Sequence, residues 1–321
     1  MGVKISIFNI IYEIKTKQGV ARLHHRTPES PGRPILMLHG FGSSAEVWFK
    51  FKDSLGNYFS QKGCDCWALN LSNAVTGDIP TLAYEDLLTS IEFIYSKTKH
   101  RILLISHSMG GIITRMLTSP NFDHPYDLDR VVSMLRGVAL LTVPNHGAAK
   151  GDLSMIEEAF NLFRSLLREE YEPVPADLGL GFAQLTPASS LLKKLNSPLP
   201  LNPDLKWLNA VGTFDRVVSL KSALFEPFEV QKLPDFSQQE FPCDHMIYPY
   251  HRTIEKISSV ARKAIPSDSI DSKIGLLLKV YPAIHTFKDV GEWILQNFLP
   301  HLDYDSKFQA DLNSRYKLEP H

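Results

Sequence analysis

The stretch that most constrains this chain is Leu103-Leu-Ile-Ser-His-Ser-Met-Gly-Gly111. An apolar run from Ile102 to Ile105 stops abruptly, and Ile112, Ile113, Met116 and Leu117 then recur at helical spacing. The pattern predicts a strand, a sharp turn and a helix. A turn this tight holds the side chain at its apex in strained backbone, and it tolerates only small residues two before and two after that apex. Ser106 and Gly110 meet the condition, which places Ser108 at the apex. Its hydroxyl would project beyond the strand end, while the amide of Met109, at the helix N-terminus, points at any negative charge formed there.

The surrounding chain reads as a sheet into which such a unit fits. Residues 11–14 and 20–24 give two short strand patterns joined by a polar turn at Gln18-Gly19, the look of an antiparallel edge hairpin. Residues 34–38, 64–69 and 137–143 are apolar runs of strand length, as expected where both faces of a strand are covered. Between them lie helical stripes. One starts near Ala45 and runs through Trp48, Phe51, Leu55 and Phe59; another runs from Tyr84 through Leu87, Leu88, Ile91 and Ile94 to Tyr95. Strands alternating with helices imply an α/β fold with a mostly parallel central sheet and right-handed crossovers, and such sheets carry ligands at the carboxyl ends of their strands.

The alternation stops between 148 and 200. Ser154 and Glu157 form a capping box ahead of an apolar stripe of Met155, Ala159, Phe160, Phe163, Leu166 and Leu167. A loop rich in Pro173, Pro175, Gly179 and Gly181 comes next, then a short helix through Leu191, Leu192 and Leu195. Helices inserted between sheet strands read as a cap or lid over the site. The sheet resumes at 205–212 and again near 228–233, and helical patterns close the chain at Ile254, Ile257 and Val260 and at Val290, Trp293, Ile294 and Phe298. Residues 1–147 and 201–300 thus form the core, 148–200 the helical cap insertion and 301–321 a polar C-terminal tail.

Composition sets limits on partners. Lysine and arginine number 34 against 35 acidic residues, so nothing electrostatic favours a nucleic-acid partner or an anionic surface. Cys64, Cys66 and Cys243 are too few and too irregularly spaced for a disulfide framework or a tetrahedral zinc site, and Cys64-Asp-Cys66 reads as core packing within a strand. The first residues lack the cationic start and long apolar core of a secretory signal, and no apolar run approaches the roughly 18 residues of a membrane helix. A cytoplasmic location is the default reading, with secretion lacking a cleaved signal as the alternative. Gly2 and Ser6 also fit a Met-Gly-x-x-x-Ser acylation pattern.

Several motifs fall at predicted strand ends, in this order: His39-Gly-Phe-Gly, Ser106-His-Ser-Met-Gly-Gly111, Pro144-Asn-His-Gly147, Gly212-Thr-Phe-Asp215 and Asp244-His-Met-Ile247. This series resembles the alpha/beta-hydrolase family over about 35–252, with Ser106 standing where the family's Gly-x-Ser-x-Gly elbow has its first glycine. Within the family it is most similar to bacterial lipases and inositol-deacylase-like lipases, whose strand after the elbow ends in a Thr-Pro-His-x-Gly-like sequence and opens a lid. Thr142-Val-Pro-Asn-His-Gly147 and Leu185-Thr-Pro-Ala-Ser-Ser-Leu-Leu-Lys-Lys-Leu-Asn196 look like these landmarks, although Val143 interrupts the Thr-Pro pair.

The resemblance implies a serine nucleophile followed in the chain by an acid and then a histidine. Ser108 is the nucleophile of that reading. Asp215, one short turn past the strand at 205–212, is the expected acid, with Asp204, Asp235 and Asp244 as rivals. His245, in a loop after the last strand pattern, is the expected base; His251 and His285 are alternatives. His107 flanks Ser108 but is expected to point to the other side of the turn, and His39 to act as a structural hydrogen-bonding residue. The amides of Phe41 and Met109 would form the oxyanion hole. The implied activity is serine carboxylic-ester hydrolysis of the lipase, phospholipase or esterase kind, with no metal or cofactor required. A thioesterase, an acyltransferase and a non-catalytic binding protein on the same fold are the alternatives. A lipid-like ester is favoured by the stripe of 155–167, which could line an acyl pocket or touch a membrane or micelle.

Overall fold

The computed structural model describes residues 10–26, 32–49, 54–148, 179–213, 215, 217–243, 245 and 286–298. Eight strands form one sheet: β1 (Ile10–Thr16), β2 (Gly19–Arg26), β3 (Pro34–Leu38), β4 (Asp65–Asn70), β5 (Ile102–His107), β6 (Leu135–Leu141), β7 (Trp207–Gly212) and β8 (Phe236–Phe241). They lie in the order β1-β2-β4-β3-β5-β6-β7-β8. The β1/β2 and β2/β4 pairs are antiparallel and the other five are parallel. This is the mostly parallel sheet with helices that defines the alpha/beta-hydrolase fold.

Alternation along the strands divides the core in two. Leu36 and Leu38 of β3 turn to one face with Trp67, Leu69 and Leu104, while Ile35 and Met37 turn to the other with Cys66, Ala68 and Ile105. The first face is covered by α2 (Ile79–Thr81), α3 (Leu88–Thr98), α4 (Met109–Thr118) and α5 (Leu128–Met134); the second by α1 (Leu55–Gln61) and the helix Thr286–Phe298. Every residue of β3, β5, β6 and β7 is buried, which is why apolar residues dominate these strands. The edges differ. β1 has no buried residue, and β8 carries Ser-Gln-Gln-Glu between its two phenylalanines, polar groups suited to an edge.

Several expectations shift. The helix expected from Ala45 is a short 3-10 turn, Ala45–Trp48, and α1 begins only at Leu55, because Ser54 is extended (φ −71, ψ 156) and resets the chain ahead of it. The strand expected at 228–233 is a short helix instead, Pro227–Val230. Proline at its start pre-sets the helical φ, and the Glu226 amide donates to Glu229 Oε2 at 2.7 Å; the last strand comes later, at β8. The strand expected at 137–143 is shifted to Leu135–Leu141, since Thr142 takes a φ of 47, outside extended backbone, and ends the strand. Cys64 precedes β4 rather than lying in it. The helix α5 carries no strong apolar period and is started by Asp127, whose side chain accepts from the Arg130 amide.

Of the expected cap, residues 149–178 lie outside the described part. Its remaining segment is well anchored. Residues 179 and 181, expected in a loop, open the helix α6 (Gly179–Gln184), and α7 (Ser190–Leu195) comes next. Gln184 fixes α6 to the start of α2, whose N-cap is Asp78: its Oε1 accepts from the Ile79 amide at 2.8 Å and its Nε2 donates to Asp78 Oδ1 at 2.7 Å. Arg115 of α4, only 1% exposed, reaches the end of α7, donating to Asn196 Oδ1, the Leu195 and Pro200 carbonyls and the Asn145 carbonyl. Burial pulls its guanidinium down to about 9. Residues 299–321, including the polar tail, are likewise outside the description.

Candidate active site

The sharp turn after β5 forms as its sequence demands. Ser108 has φ 52 and ψ −126, a conformation that non-glycine residues rarely adopt, and α4 starts at the next residue. Two bonds hold it there: the Ser108 amide donates to the Leu141 carbonyl at 3.0 Å, and the Gly111 amide to the Ser108 carbonyl at 2.9 Å. Ser106 occupies the position where a glycine is usual, and its hydroxyl is not left unpaired. It lies 2.7 Å from the Thr114 hydroxyl, one helical turn into α4, and both residues are wholly buried. A serine therefore fits because the interior supplies its partner.

The loop after β3 comes up against this turn. A Cβ built on Gly40 would stand 2.7 Å from Ser108 Cβ and 3.2 Å from its Oγ, so only glycine lets the chain approach this closely. The neighbouring Phe41 is buried and meets Phe182 of α6 edge-on, with ring centroids 6.1 Å apart. Met109 opens α4, which places its amide among the N–H groups that a helix leaves without intrahelical partners. His39 is fully buried. Its Nδ1–H donates to the Gly40 carbonyl at 2.8 Å and its Nε2 accepts from the Leu71 amide at 3.2 Å, while burial lowers its pKa to about 4.

Asp215 and His245 arrive from the ends of β7 and β8. Asp215 Oδ1 accepts from the Val217 and Val218 amides at 2.8 and 2.9 Å, closing a tight turn that fixes the carboxylate. Its Oδ2 accepts from Nδ1–H of His245 at 2.8 Å. On the other side of the ring, Nε2 of His245 accepts from the Ser108 hydroxyl at 3.0 Å. The Asp215 side chain is 2% exposed and that of His245 13%, so the carboxylate is dry and the imidazole just reaches the surface. The hydroxyl, the imidazole and the carboxylate thus form one continuous hydrogen-bonded chain.

The rivals fall elsewhere or outside the description. Asp235 pairs with Lys206 at 2.7 Å, and the Asp204 amide is tied to Asn202 Oδ1 at 2.9 Å, both at the opposite end of β7. Asp244, His251 and His285 lie outside the described residues. His107 departs from expectation. Its ring does not turn away from the base but packs 4.8 Å from the His245 ring, and its Nε2–H donates to the His245 carbonyl at 2.6 Å. Burial lowers its pKa to about 3, with the neighbouring His245 adding to the effect. Thr142 is the residue that sequence reasoning missed: its hydroxyl donates to the same carbonyl at 3.0 Å. No local pattern marks that role, since it depends on a partner 103 positions away. Among the described residues, no group of His, Cys, Asp and Glu is arranged to hold a metal ion.

Residues 35–261, which contain Ser108, Asp215 and His245, fit the model of the "Alpha/beta hydrolase family". The chain belongs to that family. Among curated proteins it is 30% identical over 156 residues to Triacylglycerol lipase 1 of Arabidopsis thaliana, a match covering 40% of this chain and 37% of the relative. It is 27% identical over 117 residues to the (E)-2-((N-methylformamido)methylene)succinate hydrolase of Acinetobacter baylyi, covering 36% of this chain and 42% of the relative. The chain therefore spans less than half the length of either relative. In three dimensions it is similar to an N-formylmaleamic acid deformylase of Pseudomonas putida (TM-score 0.53, 15% identity, 78% of this chain and 100% of the other). It is also similar to a thermophilic esterase of Thermogutta terrifontis (TM-score 0.50, 16% identity, 79% and 97%). These two likenesses speak to the fold. Among the described residues no helix is long and apolar enough to cross a membrane.

Proposed function

We propose that this hydrolase-family member cleaves carboxylic esters through a Ser108-His245-Asp215 triad, with a lipid-like ester as the preferred substrate class. One observation carries the reading: the unbroken run from Asp215 Oδ2 to His245 Nδ1 at 2.8 Å and from His245 Nε2 to Ser108 Oγ at 3.0 Å. A hydroxyl is a weak nucleophile until a base takes its proton, and a histidine does so best when a carboxylate holds the correct tautomer.

In the proposed mechanism Ser108 Oγ attacks the ester carbonyl carbon as its proton moves to His245 Nε2. Asp215 stabilises the imidazolium through the Nδ1–H bond and remains ionised throughout. The negative charge on the carbonyl oxygen is met by the amides of Phe41 and Met109, each such donor being typically worth about 3 kcal/mol. Collapse breaks the ester C–O bond, and His245 returns its proton to the departing alcohol. Water, deprotonated by the same imidazole, then attacks the acyl-enzyme, and its proton passes from His245 to Ser108 Oγ as the acid is released.

The lipid-like preference rests on the apolar pair Phe41 and Phe182, which stand beside the Gly40 approach to Ser108, and on the relative named a triacylglycerol lipase. Residues 148–200 would then be the cap, with α6 and α7 as its anchored end. The test is turnover of p-nitrophenyl esters of graded chain length by the wild type, Ser108→Ala, His245→Ala and His285→Ala. Removing Ser108 or His245 should lower kcat by about 10⁶-fold, and the rate should rise with acyl length. Wild-type turnover by Ser108→Ala sinks the mechanism, and loss confined to His285→Ala moves the base.

A further inference from the structure

The main-chain carbonyl of His245 takes two hydrogen bonds from buried side chains that belong to neither the acid nor the nucleophile. Nε2–H of His107 reaches it at 2.6 Å and Oγ1–H of Thr142 at 3.0 Å. Both donors stand on rigid supports. His107 is the last residue of β5, beside Ser108, and 7% exposed; its ring and that of Trp48 stand nearly perpendicular, with centroids 6.5 Å apart. Thr142 directly follows β6, is 1% exposed, and its amide is tied to the Ala210 carbonyl of β7 at 2.9 Å.

Thr142 is also strained. Its φ of 47 puts a β-branched residue in a region such residues rarely enter, which must be over-determined by its surroundings to persist. The strain aims its hydroxyl at the His245 carbonyl. Asp215 by itself fixes one atom of the imidazole, Nδ1, and leaves the backbone that carries the ring undetermined. A second fixed point on that backbone removes the freedom.

We propose that His107 and Thr142 are positioning residues for His245: their two donors converge on its main-chain carbonyl and hold the imidazole in register with Ser108. The role rests on the triad reading given above. Threonine fits because its hydroxyl rotates to the carbonyl while its methyl packs. Histidine fits because its neutral form has an N–H at the far end of a flat ring, able to bridge from β5 to the loop beyond β8.

The test uses the full chain as wild type, Ser108→Ala, Thr142→Val, Thr142→Ser, His107→Leu and His107→Gln. The readouts are the labelling rate with a fluorophosphonate probe, kcat and KM on a p-nitrophenyl ester, and the melting temperature. Misplacing a base by a fraction of an ångström should lower kcat and labelling about 10-fold in Thr142→Val and about 30-fold in His107→Leu, with KM unchanged within about 2-fold. Thr142→Ser and His107→Gln, which keep a donor, should recover most of the rate. Val and Leu variants at wild-type rates overturn the proposal, as do Ser and Gln variants that fall equally far. Should His107→Leu fail to fold, the near-isosteric Thr142→Val decides alone. Turnover and labelling that persist in Ser108→Ala, or a folded wild type inert to both reagents, remove the triad and the clamp together. An inert Ser108→Ala with fully active Thr142→Val and His107→Leu removes the clamp only.

Discussion

Ser108 takes its place from its neighbours in the chain: a strand before it, a helix after it, and small residues two positions to either side. His245 takes its place from residues 30, 103, 137 and 138 positions away, namely Asp215, Thr142, Ser108 and His107. The two atoms that exchange a proton in the proposed mechanism, 3.0 Å apart, are therefore held by opposite means. The turn at Ser108 is specified locally and fastened by one long-range bond, from its amide to the Leu141 carbonyl. A loop specified by distant partners forms only when the whole sheet has brought those partners together, so its accuracy is a property of the fold.

The largest expected break in this comparison is at the carboxylate. Asp215→Asn leaves the turn amides of Val217 and Val218 an acceptor, since Oδ1 makes those bonds, but offers His245 an amide where Oδ2 stood. The kcat should fall about 10⁴-fold through loss of the correct tautomer, with little change in melting temperature. A large fall in melting temperature alongside it would mean that Asp215 chiefly braces the loop.

Acid sharpens the comparison on the stability side. His39 and His107 have folded pKa values of about 4 and about 3, both lowered chiefly by burial from 6.5. Between those values and 6.5 the unfolded chain binds protons that the folded chain refuses, so stability is complete above about pH 7 and declines as pH falls through 6.5. At pH 4.5 each histidine should have cost about 2–3 kcal/mol, read as a lower urea midpoint than at pH 7.5. His107→Gln, lacking one of the two groups, should flatten that pH dependence; an unchanged slope would place the acid sensitivity elsewhere.

The smallest effect probes the helix behind the nucleophile. A Cβ on Gly111 would lie 2.1 Å from Val143 Cγ2, so Gly111→Ala should cost about 1–3 kcal/mol by overpacking. Val143→Ala in the same chain should return part of it. Failure of that second change to recover stability would show that backbone, and not the valine side chain, sets the contact.

The central strands are legible because burial on both faces writes itself as an unbroken apolar run: Pro34–Leu38 matches the expectation to the residue. The last strand escapes the same reading because β8 is an edge. Its Ser237, Gln238, Gln239 and Glu240 carry no apolar period, while the hydrophobic Phe228 to Leu233 ahead of it begins as a helix, started by Pro227. The single helix expected from Ala45 fails for a related reason, since a continuous stripe does not reveal an extended Ser54 within it.

At the candidate site Asp215 and His245 were reached only through the family resemblance, whereas the sequence by itself determined the elbow at Ser108 and the glycine-bearing loop after β3. These are set by steric rules acting over a few residues. Only the tertiary structure decided that Ser106 can replace a glycine, because its hydroxyl needs the Thr114 hydroxyl at 2.7 Å. Only the tertiary structure turned His107 toward the base and brought Thr142 to the same carbonyl. A buried donor or acceptor must be paired, but the pairing rule does not name the partner. The packing of β5, β6 and the loop beyond β8 does.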